Sequence, residues 1–153
     1  MYPLTLSLHS WLRWAILILG IVAVVRAFGG RSGRPWTQTD DNVGKWFIGS
    51  LDLQFVVGLL LYVSLSPITQ VAFADFGAAM RNPGLRFFAV EHLVGMVIAV
   101  ALAHVGRVKI RKASGDARRH QLALMFYGLA LIILIASIPW PGMPAGRALF
   151  RGF

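Results

Sequence analysis

Residues 85–108 read LRFFAVEHLVGMVIAVALAHVGRV, and the chain enters them through the turn-like Asn82-Pro83-Gly84 and leaves them into Lys109, Arg111 and Lys112. About 20 mostly apolar residues in helical form cross the hydrocarbon of a bilayer, and this stretch is long enough. Working outward, the same kind of run recurs three times. Residues 8–25 form one, bounded by Arg26 and the loop GGRSGRP. Residues 46–65 form the next, entered at Lys45 and stopped by Ser66-Pro67, and residues 121–138 form the last, ending at Pro139-Trp140-Pro141. With their flanking residues the spans cover about 8–26, 45–65, 85–108 and 120–139. Small residues interrupt all four and let helices approach closely in lipid. The expected fold is all-α: an integral membrane up-down four-helix bundle in one domain, residues 1–153. The stretch 68–80, ITQVAFADFGAAM, is apolar but short and reads as an interfacial helix or lid.

Composition agrees. Hydrophobic residues make up 57% of the chain and charged residues 14%, against roughly a quarter in a soluble domain. A soluble chain of this size could not cover four such runs with polar surface. The net charge of +9 raises nucleic acid as a partner, but the basic residues sit beside apolar runs rather than along a hydrophilic face, so topology explains them and no nucleic acid is expected. With no cysteine, disulfides, thiolate metal sites and cysteine nucleophiles are excluded. Nor is there a nucleotide-binding glycine loop, an HExxH or a nucleophile elbow.

Basic residues near span ends set orientation. Arg26, Arg31, Arg34 and Lys45 lie between spans one and two, and Arg107, Lys109, Arg111, Lys112, Arg118 and Arg119 between spans three and four. The N-terminus has no charged side chain before Arg13, and the loop after span two has only Arg81 and Arg86 against Asp75. Both termini are expected outside, in a bacterial inner (cytoplasmic) membrane. Arg147 and Arg151 argue mildly the other way but lie beyond the last span. The first span lacks the basic start and cleavage site of a signal peptide.

Ionisable groups inside spans are costly and each needs a reason. At about 1.5 Å per residue, His9 on span one and His92 on span three fall at one level, near the outer boundary. Two histidines from different helices at one depth suit a bis-histidine b-type haem. Gly95, Met96 and Ala99 beside His92 leave room for a flat macrocycle, and Arg13 and Arg86 could pair with its propionates. Glu91 adjoins His92, and Arg13 with Glu91 also reads as an ion pair joining spans one and three. A second pair, His104 and His120, lies near the cytoplasmic side and reads as the ligands of a second haem, the two pairs then making a wire across the membrane. His104 is 12 residues from His92, about 120° around the helix, so both face the interior only if that helix is largely enclosed. His120 adjoins Arg118 and Arg119, where headgroup contact is natural, and interfacial hydrogen bonding is the plainer role for both. Asp52 and Gln54 in span two read either as interhelical glue or as a quinone or proton site. Trp11, Trp14, Trp46 and Trp140 form an interfacial belt, and Met96 and Met125 are packing residues.

The segments LHSWLRW (8–14), DLQFVVGLLLYVSLSP (52–67), MRNPGLRFFAVEHLVGM (80–96) and SIPWP (137–141) occur in an order that resembles short bacterial four-helix membrane proteins, common in Bacteroidetes and related phyla and often labelled "cytochrome B". The resemblance spans nearly the whole chain. It implies haem b carried by iron ligation at His9 and His92, whereas His104 lies outside these motifs in LAHVGRVK (102–109). The expected role is electron transfer, possible partners being quinone near Asp52 and Gln54, a redox protein or larger membrane complex, and a second copy in a homodimer. The alternatives are a non-haem accessory or assembly subunit, or a small proton- or ion-conducting bundle through Glu91, Asp52 and Arg13.

Overall fold

The computed structural model describes residues 1–150; Arg151, one of the two tail arginines weighed for orientation, lies outside the described residues. All regular structure among them is helical: α1 (Tyr2–Gly30), α2 (Gln38–Leu60), α3 (Pro67–Ala74), α4 (Phe76–Arg81), α5 (Pro83–Arg86), α6 (His92–Lys112) and α7 (Asp116–Ala136). A π-helical turn, Leu61–Leu65, prolongs α2, and another, Phe87–Glu91, joins α5 to α6. Four of the resulting rods are long and apolar enough to cross a membrane: Tyr2–Gly30, Gln38–Leu65, Pro83–Lys112 and Asp116–Ala136.

The helices outrun the apolar runs, and at the starts of α1 and α2 local sequence explains why. Pro3 stands in the first turn of α1, where its missing N–H costs nothing. Thr37 and Asp40 form a reciprocal capping box that starts α2 ahead of its apolar part. The segment expected as one short helix is two, broken at Asp75, whose carboxylate caps α4 by accepting from Ala78 N at 2.9 Å.

The four rods close in the order α1, α2, α6, α7, so α1 and α6 stand diagonally across the bundle axis. Three of the four seams are tightly packed; the α2–α6 seam is thin. The core runs from Ile16 and Leu51 through Ala99, Ala103, Ala130 and Leu134 to Phe47 and Tyr127, all buried. At Gly106 the helices come close enough that a Cβ would lie 2.4 Å from Phe126 Cβ, the close approach that small residues permit. Ile18, Val25, Val56, Val63 and Ile132 point outward and are exposed, so the bundle is apolar on its outside as well.

The end carrying the two basic loops is locked by one carboxylate. Asp40 accepts from Arg26 Nε at 2.9 Å, from Arg34 at 2.8 Å twice, and from Thr37 N and Oγ1 at 2.8 and 2.7 Å. Its side chain is 3% exposed, while the two arginines are one-third exposed. Removing one member of a buried charge network leaves the others unpaired, at about 3–5 kcal/mol when burial is complete. Solvent at the arginines reduces that, and the lost cap adds about 1 kcal/mol. Asp40→Ala is therefore expected to destabilise the protein by roughly 2–4 kcal/mol, read as a lower unfolding midpoint in detergent; an unchanged midpoint would show that the cluster carries no stability. Alongside it, Arg107 binds Asp41 through two nitrogens at 2.7 and 3.0 Å and bridges α6 to α2.

Candidate functional site

At the opposite end, where the N-terminus and the tail up to Phe150 lie, the diagonal helices aim two histidines at the bundle axis. The rings of His9 (α1) and His92 (α6) have centroids 6.3 Å apart and planes at 69°. His92 Nδ1 lies 2.8 Å from the backbone oxygen of Ser137 just past α7. A carbonyl only accepts, so Nδ1 carries the hydrogen and donates it, and a neutral ring then presents Nε2 as a bare lone pair. Metal-bound histidines are commonly held through the other nitrogen in this way. His9 packs beside Gly58, where a Cβ would meet its Cε1 at 3.1 Å. Its Nδ1 is buried without a hydrogen-bond partner. The backbone of His9 is anchored separately: Gln54 Nε2 donates to its oxygen at 2.9 Å, leaving Gln54 Oε1 buried and unpartnered.

Both rings border a cavity of about 150 Å³ that extends toward the bundle's middle. Its wall is mainly apolar, with Phe55, Met96, Val100 and Leu134 among the lining residues, and Arg13 and Arg147 are its cations among the described residues. The α3 helix, through Ile68 and Thr69, and the C-terminal tail, through Arg147 and Ala148, contribute to the wall at the terminal end. Arg13 donates to Leu149 O at 2.5 Å and lies near the Trp14 ring, while Arg147 stands 5.2 Å over Phe88. The two π-helical turns meet here: Tyr62 OH donates to Ala89 O at 2.6 Å. Such turns aim side chains that a regular helix would point elsewhere, and they concentrate at functional sites.

The other residues singled out from sequence are distributed differently. Glu91 accepts from Arg86 at 2.6 Å, both side chains nearly half exposed; neither lines the cavity, and no Arg13–Glu91 ion pair joins α1 to α6 among the described residues. The nearer arginine, five residues back across the π-helical turn, takes the carboxylate. Asp52 and Gln54 do not form one site, because two residues on a helix point about 200° apart: Gln54 faces the cavity, whereas Asp52 faces the α2–α6 seam and binds His104 Nε2 at 2.8 Å. His104 and His120 are not brought together either. His120 is fully buried, 4.9 Å from the Trp36 ring, with Nε2 3.1 Å from Arg34 O. It makes a packing contact between α7 and the end of α1 instead of reaching headgroups. Sequence reading missed Ser137 as the partner that orients His92 and missed Tyr62 and Arg147 in the wall. Ser137 stood inside the SIPWP motif, but its bond uses a backbone oxygen, which residue identity does not announce.

Comparison with models of known protein families, with curated proteins and with solved structures finds no match to this chain.

Proposed function

We propose that the chain is an integral membrane electron carrier that holds one b-type haem between α1 and α6 through His9 and His92. In this reading the four long helices span a bacterial inner membrane, with the basic end in the cytoplasm and the termini outside. The observation that carries the site is the His9–His92 pair, set in a cavity on the bundle axis. An imidazole nitrogen binds a metal at about 2.0–2.1 Å, so two rings sharing one metal have centroids roughly 6 Å apart; here the separation is 6.3 Å. Haem held by His9 and His92 would supply a one-electron couple, tuned by hydrogen bonds to these histidines and by burial.

The chain's own residues do the rest. The Ser137 carbonyl fixes the tautomer and direction of His92, and the buried unpartnered nitrogen of His9 is a donor set left open for a ligand or a proton. Arg13 and Arg147 place positive charge on the wall, suited to carboxylates. The apolar wall, α3 and the tail restrict water, which lowers the local dielectric. The resemblance of the motif order to short proteins often labelled "cytochrome B" is in keeping with this reading.

The deciding measurement is a dithionite-reduced minus air-oxidised visible spectrum of purified protein from haem-supplemented cells, with pyridine haemochrome quantification. A sharp ferrous b-type α band at about one haem per chain is expected. A colourless, folded preparation overturns the cytochrome reading and leaves the accessory or ion-conducting roles. Orientation is checked by C-terminal fusions: periplasm-dependent alkaline phosphatase is expected to be active and green fluorescent protein dark, and the reverse pattern would place the termini inside.

A further inference from the structure

The α2–α6 seam carries a second polar pair, outside the wall of the histidine cavity. Asp52 Oδ1 and His104 Nε2 meet across it at 2.8 Å, and the two side chains are 45% and 50% exposed. The surface around them is apolar, with Leu53, Val56, Val105 and Val108 all exposed. His104 stands three residues from Arg107 and Asp52 seven from Lys45, so both lie about 5–10 Å inside the basic end. With the helices in a bilayer, this pair faces hydrocarbon. Ionisable groups placed so are costly and mark a ligand or a polar partner.

The chemistry of the pair narrows the occupant. An ionised Asp52 only accepts, so His104 Nε2 carries the hydrogen between them. In the neutral ring Nδ1 is then an acceptor on the side of the ring turned away from Asp52, and Asp52 keeps its second oxygen as another. Neither atom has a partner among the described residues. An acceptor of this kind suits a ligand hydroxyl. Once His104 is protonated, the same Nδ1 becomes a donor and suits a carbonyl. A hydroquinone and its quinone differ in this respect at their ring oxygens, so one pair can hold both forms. Phospholipid headgroups lie outside this depth, whereas a quinone ring with a hydrocarbon tail is soluble within it. The pair also adjoins the cavity: Leu51 and Phe55 beside Asp52, and Val100 one turn from His104, are in its wall. The seam between them is the thinnest of the four.

We infer that the α2–α6 seam binds the head of a membrane quinone or hydroquinone through Asp52 and His104, with its tail in the lipid. The inference rests on membrane insertion as proposed above and not on haem.

The test is photolabelling of the full chain in lipid nanodiscs with an azido-ubiquinone, mapped by mass spectrometry and competed with decylubiquinone. Resistance of the membrane-fraction protein to carbonate extraction is established first; failure there removes the insertion reading, and the inference falls with it. The expected result is label on α2 and α6 around residues 51–56 and 100–105, displaced by decylubiquinone. Asp52→Asn and His104→Phe are each expected to lower that label roughly tenfold, a binding loss of about 1.4 kcal/mol, while sparse label on the exposed face of α7 stays constant. The two variants are independent, and the wild-type competition requires neither of them. Label spread evenly over all helices, label that decylubiquinone does not displace, or label unaffected by both substitutions overturns the inference. So does chain-to-chain cross-linking across the seam with no quinone label, which would show a second copy covering the pair.

Discussion

His92→Ala is expected to give a chain that still enters the membrane fraction but retains less than about a tenth of the wild-type haem. The substitution removes one of the two side chains that share the site and leaves the Ser137 carbonyl without its donor. Stability suffers less, by roughly 1–3 kcal/mol, the range for a buried group losing its hydrogen-bond partner, because the remaining packing of α6 on α7 is untouched. His9→Ala is expected to do the same from the other side of the bundle. Ser137→Ala supplies the contrast: the bond to His92 uses the backbone oxygen, so haem content should stay near wild type. Pyridine haemochrome assays on the three purified variants read these outcomes directly. Haem content unchanged in His92→Ala would remove that residue from the site whatever its geometry.

How far the sequence reached depends on whether a feature is set along a helix or around it. The four long apolar helices were legible because bilayer length is a one-dimensional property, visible as runs between Arg26, Lys45, Arg107 and Pro139. The common level of His9 and His92 was legible for the same reason, since the rise per residue is fixed; their convergence on one axis depends on α1 and α6 being diagonal, which no local pattern states. Rotation around a helix was where reading from neighbours failed. His120 follows two arginines yet is fully buried, because one residue's step of about 100° turns it from solvent to the core. Asp52 and Gln54 separated for the same reason. Glu91 was weighed against Arg13 across the bundle, but the local Arg86 holds it through a π-helical turn that hydrophobic periodicity does not show. Asp40 does not stand out in the sequence, where it is one acid in a polar loop. The spacing from Thr37 to Asp40 is a capping-box spacing, a signal that was available, whereas the convergence of Arg26 and Arg34 on it was not.

The burial of His120 leads to the other large effect, on stability. A Cβ added at Gly30, the last residue of α1, would lie 2.2 Å from His120 Nδ1, 2.3 Å from Cε1 and 2.4 Å from Cγ. Helix propensity alone favours alanine over glycine by up to about 1 kcal/mol. The contact decides against it, because the ring is buried between Trp36 and the α1 backbone and cannot swing into solvent without giving up its bond to Arg34 O. Gly30→Ala is thus expected to destabilise by about 1–3 kcal/mol, the usual cost of overpacking. His120→Ala alone should cost about 2–4 kcal/mol, from the cavity left behind and the Arg34 carbonyl that loses its donor. The double variant should cost less than the sum by about 1–2 kcal/mol, since the new methyl group enters the space the ring has vacated. Unfolding curves of the four proteins in one detergent measure the cycle. Strict additivity would mean that the ring of His120 does not occupy the space over Gly30, and the account of how α7 seats against the end of α1 would have to be redrawn.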